Sequence, residues 1–469
     1  MRFLVRAFLL LLVIGTAGLG VAWWLAGREL GPTISIQLPE KFVGQSGSLE
    51  FSVEAPGALF QSVDAVLEQN GQSTPLFSLG LGGLGGPGSP EAGEVDPSAP
   101  DRLRVVRSIG KKAQPALVSG PARVTIKAVR PVFYGLRTAE STVIRDLQVR
   151  LEPPRVSVAS LHHFINLGGA EFAVLRVSPD DVQSGIRVGG ATYPAYHGSG
   201  AGLSDPTLRV VFFALHHDQA IATPISAFAR DPAGNETTTL LEHRPFAKAF
   251  VQSRIPIDQG FVDRVVPAIA SNTPDLAVDT TTPEARLKAF LTINGDLRRR
   301  NAETIAKAAS GTKAEMLWSE AFAQLGNSQV ESRFADRRTY FFGNKEIDRQ
   351  VHLGFDLASV QQAPVLAANS GLVVFAEFLG IYGNCVIVDH GLGVQSLYAH
   401  LSVLNVKPGD QVRKSQELGR TGITGLAGGD HLHFSILLQG VPVNSVEWWD
   451  PHWMEDRVFR KIREAGGAR

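Results

Sequence analysis

The stretch Gly428-Gly429-Asp430-His431-Leu432-His433-Phe434-Ser435-Ile436 decides how the last third of this chain folds. Leu432, Phe434 and Ile436 alternate with His431, His433 and Ser435, and successive side chains of a strand point to opposite faces. One face therefore reads as core, and the other presents two imidazoles side by side. Upstream, Val351-His352-Leu353-Gly354-Phe355-Asp356-Leu357 places a histidine and a carboxylate four residues apart, again on one face. A third histidine lies in Leu397-Tyr398-Ala399-His400-Leu401. A lone His-x-His pair is usually a surface or hydrogen-bonded pair. The joint occurrence of these clusters is what points to a metal. Two imidazoles and one carboxylate form a borderline-soft donor set suited to Zn²⁺, and three protein ligands leave a fourth tetrahedral position for water.

Between and around these clusters, residues 340–450 are strand-rich and carry many glycines. Pro364-Val365-Leu366-Ala367-Ala368 and Gly371-Leu372-Val373 follow the first cluster, then Tyr382-Gly383-Asn384 and Val388-Asp389-His390-Gly391. Tyr398-Ala399-His400-Leu401-Ser402, Val406-Lys407-Pro408-Gly409-Asp410-Gln411-Val412, Leu418-Gly419 and Thr421-Gly422 precede the second. This ordered set resembles the lysostaphin-like (LytM-type) zinc endopeptidases of bacterial cell wall, over residues 352–443. The resemblance implies an antiparallel β-fold with a groove over one catalytic zinc. It implies that His352, Asp356 and His433 bind the metal and that His400 and His431 are the catalytic pair, either of which could be the base. Two departures stand out: Ser435 replaces the Glu that usually follows His-Leu-His-Phe, and residues 425–430 lack the usual Ser/Thr-Gly-Pro.

Toward the N-terminus the texture changes. Residues 246–332 read as a helical connector: Thr282-Pro283 offers an N-cap and a first-turn proline, with Leu287, Phe290 and Leu291 at helical spacing. Residues 315–325 repeat the amphipathic pattern. Residues 31–150 and 151–245 read as two immunoglobulin-like β-sandwiches, because short runs such as Ser48-Leu49-Glu50-Phe51-Ser52-Val53 alternate with period two. A Gly/Pro/Ser-rich stretch at 79–101 reads as an exposed loop. At the start, Arg2 and Arg6 precede an uncharged apolar run at residues 7–27 ending near Trp23 and Trp24, long enough to span a bilayer. It reads as an uncleaved signal anchor over 1–30, holding the body in the periplasm at the inner membrane. The expected fold is thus mainly β, with the peptidase domain at 333–455 and a helix or tail at 456–469.

Composition agrees with a globular chain. Of 469 residues 44% are hydrophobic, enough to bury real cores, and Lys plus Arg equals Asp plus Glu at 45 each. That balance supplies no bulk charge for nucleic acid. The single cysteine, Cys385, excludes an intrachain disulfide and reads as a small buried hydrophobe in a strand. His390 reads as structural, His162-His163 and His216-His217-Asp218 as surface residues, and Trp448-Trp449 to His452 as packing at the domain edge.

The expected function is zinc-dependent hydrolysis of peptide cross-links in peptidoglycan. A non-catalytic envelope scaffold or activator of separate wall hydrolases is the alternative, and a peptidase acting on protein is a third. The two sandwiches suit an envelope protein partner, and the long N-terminal half is expected to occlude the groove until released.

Overall fold

The computed structural model describes residues 2–55, 60–80 and 101–467. Most of the loop expected at 79–101 lies outside the described residues. The chain divides into two compact units, residues 1–154 with 230–236, and residues 155–229 with 237–469.

The first unit opens with the helix Arg2–Ala26, apolar, largely exposed except at the buried Ala26, and long enough to cross a membrane. It is compatible with a membrane anchor or a signal sequence. Two sheets follow. One pairs Thr33–Leu38, Ser48–Glu54 and Arg102–Ser108, and the other orders Phe42–Val43, Arg137–Val149, Gly120–Val132, Ser62–Gln69 and Gln72–Leu79. Leu49, Phe51 and Val53 alternate inward from the first sheet to meet Val124, Ile126 and Ala65 from the second. The period-two pattern of the sequence is the inward-facing row of this two-layer core.

The second unit contains two four-stranded sheets built from residues 155–240, the helical segment and the C-terminal β domain. The strand Leu208–Ala214 is buried at every position. Its Phe212 packs on Trp448 and Trp318, with ring centroids 5.5 and 6.2 Å apart. The hydrophobic core consequently runs without a break from the 155–240 sheets to the C-terminal domain. Trp448 is buried there, as a packing residue.

The segment expected to be helical at 246–332 is only partly so. Helices Gln259–Ser271, Pro283–Thr292 and Arg298–Ala309 form, capped by Asp258 Oδ1, which accepts from the Phe261 N–H at 2.7 Å, and by Thr282 Oγ1, which accepts from the Ala285 N–H at 3.1 Å. Gln252–Ile257 is a strand. Residues 315–325 form no helix: Met316, Trp318 and Phe322 are buried in an irregular strap. Its backbone N–H groups donate outward, Met316 to Gly200 O at 2.8 Å and Ala323 to Ala368 O at 2.9 Å. The apolar spacing that mimics a helix is the set of positions at which this strap touches the core.

The C-terminal domain is an antiparallel sheet ordered Gln329–Ser332, Phe355–Ala358, Leu432–Leu438, Val394–Leu401, Asn384–Gly391, Gly371–Phe378 and Gln411–Val412, with Val441–Val443 added beside Leu432–Leu438. Cys385 is buried in it, and burial pushes its thiol pKa upward. Two smaller sheets flank it. One of them joins Gln252–Ile257 to the hairpin Asp336–Phe342 and Lys345–His352.

Two further expectations change. His163 and His217 are buried rather than on the surface. His163 lies 2.9 Å from Ser160 Oγ, and burial pushes its pKa down to about 3.

Candidate metal centre and groove

Strand register assembles the site. Asp356 and His433 lie directly opposite on adjacent strands, Ala399 faces His433 from the other side, and His352 ends the hairpin strand before the turn into Phe355–Ala358. His431 enters by an isolated bridge to Gly422. Gly354 allows this closeness: a Cβ there would lie 2.5 Å from His433 Nε2. His400, at the end of its strand, holds φ +64, a conformation uncommon for a residue with a side chain. All five residues named from the sequence converge, each between 5% and 9% exposed.

Three atoms meet at the centre. His352 Nε2 lies 2.9 Å from both Asp356 Oδ1 and His433 Nδ1, and His433 Nδ1 lies 3.1 Å from Asp356 Oδ1. The opposite edge of each ring fixes its proton. His352 Nδ1 faces the Arg333 carbonyl at 3.2 Å, and a carbonyl only accepts, so the proton sits on Nδ1 and the lone pair on Nε2. Ser435 Oγ donates to Leu353 O at 2.8 Å and lies 3.2 Å from His433 Nε2, which leaves that nitrogen as donor and Nδ1 as lone pair. Two lone pairs and a carboxylate oxygen thus point at one another, an arrangement that calls for a cation. The donors and their number fit zinc with an open coordination position.

The other two histidines are held in the same manner. His400 Nδ1 donates to Thr424 O and His431 Nδ1 to Gly429 O, each at 2.8 Å, leaving both Nε2 atoms as acceptors. Their ring centroids are 4.8 Å apart, and His431 Nε2 lies 3.5 Å from Asp356 Oδ1. Burial, and then His431 and His433, hold His400 well below the ordinary imidazole range. Burial works against the charged form of His431, but Asp356 outweighs it and raises that pKa. Asp356 itself would be pushed up by burial, yet the surrounding imidazoles keep it well below the usual carboxylate range.

Several contributors have no signature in the sequence. Arg338, on the flanking hairpin, donates from Nη2 to Asp356 Oδ2 at 2.8 Å and to Ser332 Oγ at 2.7 Å. The loops bearing Tyr382 and Leu426 are clamped together, since a Cβ on Gly425 would lie 2.4 Å from Gly383 N, and the Leu426 N–H donates to Ile381 O at 2.8 Å. The helix Gln259–Ser271 reaches this loop through Arg264, which donates to Ala427 O at 3.0 Å. His390 is fully buried between Ser370 O and Ser396 Oγ, outside the centre.

Comparison with known proteins gives the same region a family. Residues 350–445 match Peptidase family M23. The chain is 41% identical over 97 residues to DD-carboxypeptidase/endopeptidase Mpg of Neisseria meningitidis serogroup B, covering 21% of this chain and 22% of that protein. It is 28% identical over 163 residues to peptidoglycan DD-endopeptidase ShyA of Vibrio cholerae serotype O1, covering 34% of each. Among solved structures, the catalytic domain of lysostaphin from Staphylococcus simulans aligns at 27% identity over 28% of this chain and 98% of that chain, with TM-score 0.24. The matched stretch spans between 22% and 34% of these two curated relatives.

Proposed function

Residues 350–445 being a peptidase family M23 domain, we propose that this chain is a zinc-dependent endopeptidase hydrolysing peptide cross-links of bacterial peptidoglycan. The observation that carries the proposal is the convergence of His352 Nε2, His433 Nδ1 and Asp356 Oδ1 with each ring proton turned away from the centre. The names of the similar proteins, a DD-carboxypeptidase/endopeptidase and a peptidoglycan DD-endopeptidase, support the substrate class.

His352, Asp356 and His433 would hold the metal. Zinc bound there would polarise the scissile carbonyl and lower the pKa of a water molecule toward about 7. The chain's own share is proton handling. His431 and His400 each present an Nε2 lone pair toward the centre, so one can take the proton as water attacks the amide carbon and return it to the leaving amine. The other could donate toward the oxygen that gains charge only as an imidazolium, protonated on Nε2 as well, a form that Asp356 favours for His431. Arg338 fixes the Asp356 carboxylate by its outer oxygen, keeping Oδ1 turned inward.

The apolar exposed helix Arg2–Ala26 supports a membrane-anchored form, with the anchor in the inner membrane and the body in the periplasm. The domain plan proposed is an anchor at 1–30, immunoglobulin-like sandwiches at 31–150 and 151–245, the connector at 246–332, the peptidase at 333–455 and the tail at 456–469. An envelope protein partner for the two sandwiches belongs to the same reading.

Digestion of purified peptidoglycan by a form lacking residues 1–30, with mass spectrometry of the released muropeptides, tests it. Loss of cross-linked dimers that a chelator abolishes is the expected result. An intact wall in the presence of zinc-loaded protein would defeat the proposal and leave a protein substrate or an activator role. His433→Ala separates those two, since an activator would survive it.

A further inference from the structure

Beyond the Leu208–Ala214 strand the chain runs through Leu215-His216-His217-Asp218, three donors of metal-ligating type in succession. They are brought together: one donor atom from each lies within 4.8 Å of the others, and the two imidazole centroids are 4.3 Å apart. His216 Nδ1 is paired with Asp218 Oδ1. The loop that carries them is held rather than loose. The His216 N–H donates to Gln219 Oε1 at 2.8 Å, Gln219 Nε2 donates to Val188 O at 3.0 Å, and the Gly168 N–H donates to Leu215 O at 2.7 Å.

His217 is the buried member of the three. It is 8% exposed and lies edge-on to Phe250 and Phe334, which hold its ring beside that of His216.

We propose that His216, His217 and Asp218 form a second metal site, for a divalent transition ion of the zinc type, separate from the His352–Asp356–His433 centre. Two imidazoles and one carboxylate select a borderline ion over Ca²⁺ or Mg²⁺, which want oxygen ligands. The site braces a junction. His217 packs on Phe334, the residue after Arg333, and the Arg333 carbonyl accepts from His352 Nδ1.

The test is metal stoichiometry of the untagged, detergent-solubilised full chain, stripped by chelator, dialysed against zinc and measured by elemental analysis. Wild type should hold two zinc ions, while Asp218→Asn and His217→Gln should each hold one. Asp218 is largely exposed, so its variant reads the site even if the His217 variant fails to fold. His433→Ala should also hold one, and its combination with Asp218→Asn none. A wild-type stoichiometry of one that Asp218→Asn leaves unchanged would overturn the proposal. Loss of zinc only in the His433 variant would overturn it equally, without touching the proposed peptidase function.

Discussion

Ser435 Oγ donates to the Leu353 carbonyl at 2.8 Å, and so meets His433 Nε2, 3.2 Å away, with a lone pair. The hydroxyl thereby sets which nitrogen of His433 carries the proton. The position usually holds Glu in the family that this region resembles, and here a shorter side chain provides an acceptor. Partners that orient metal-ligating histidines typically contribute about 10–100-fold to metal affinity. Ser435→Ala should weaken zinc binding by about tenfold or more, read by competition with a chromophoric chelator. Affinity equal to wild type in a folded variant would show that Ser435 does not hold the tautomer.

Arg338 makes a different prediction. Among the described residues it is the only Lys or Arg paired with Asp356, and its side chain is 20% exposed, so the pair is shielded from water. Removing one partner of a buried pair leaves the other charge uncompensated. Arg338→Met should destabilise the zinc-free protein by about 2–3 kcal/mol, toward the lower end for buried pairs because of that residual exposure. Lys should recover only part, since it cannot reach Asp356 and Ser332 together with a planar fork. Thermal melts of the zinc-free forms measure both. Identical melting temperatures for wild type and Arg338→Met would count against the pairing.

How much of this was legible in the sequence depends on how each residue is placed. His431 and His433, and His352 and Asp356, could be read because strand alternation puts them on one face, and register then brings the two faces together. Arg338 could not: it lies 18 residues from Asp356 on another sheet, and only tertiary folding joins them. His163 and His217 were expected outside because histidine is usually at least partly exposed. One is satisfied by Ser160 from three residues away, and the other closes the loop against two phenylalanines. The strap at 315–325 was misread because spacing alone cannot tell a helical face from an irregular segment with evenly distributed anchors.

A pH dependence of stability follows from Glu447, buried near the aromatic cluster. Burial pushes its pKa up from 4.5 to about 7, against the effect of the Asn166 Nδ2 and Ala170 N–H groups that donate to it at 2.7 and 2.8 Å. A raised folded-state pKa means that the native state binds the proton more tightly than the unfolded chain. The stabilisation is complete below the unfolded value and is lost as pH rises from about 4.5 through about 7. The loss amounts to about 3 kcal/mol at most. Wild type should therefore lose melting temperature between pH 5 and 8, assay conditions set by that window, relative to Glu447→Gln, which has no proton to release. Parallel profiles for the two proteins would remove Glu447 as the cause.

The expectation that the N-terminal half covers the groove needs a finer instrument than deletion. Removing residues 30–330 would also remove Met316, Trp318 and Phe322, which pack in the core around Trp448 and Phe212. Deleting large core side chains costs about 2–5 kcal/mol each, so that truncation should fail to fold and would say nothing about gating. Arg264 offers a cleaner probe. It ties the helix Gln259–Ser271 to the Ala427 carbonyl, on the loop next to Leu426, while remaining outside the core. If the helix restrains that groove wall, Arg264→Ala should free the loop and change turnover of a cross-linked muropeptide severalfold while leaving zinc affinity unaltered. Such a split locates the effect in substrate access, since a weakened metal centre would lower both. Turnover and KM both equal to wild type would show that the helix supports the wall without gating it.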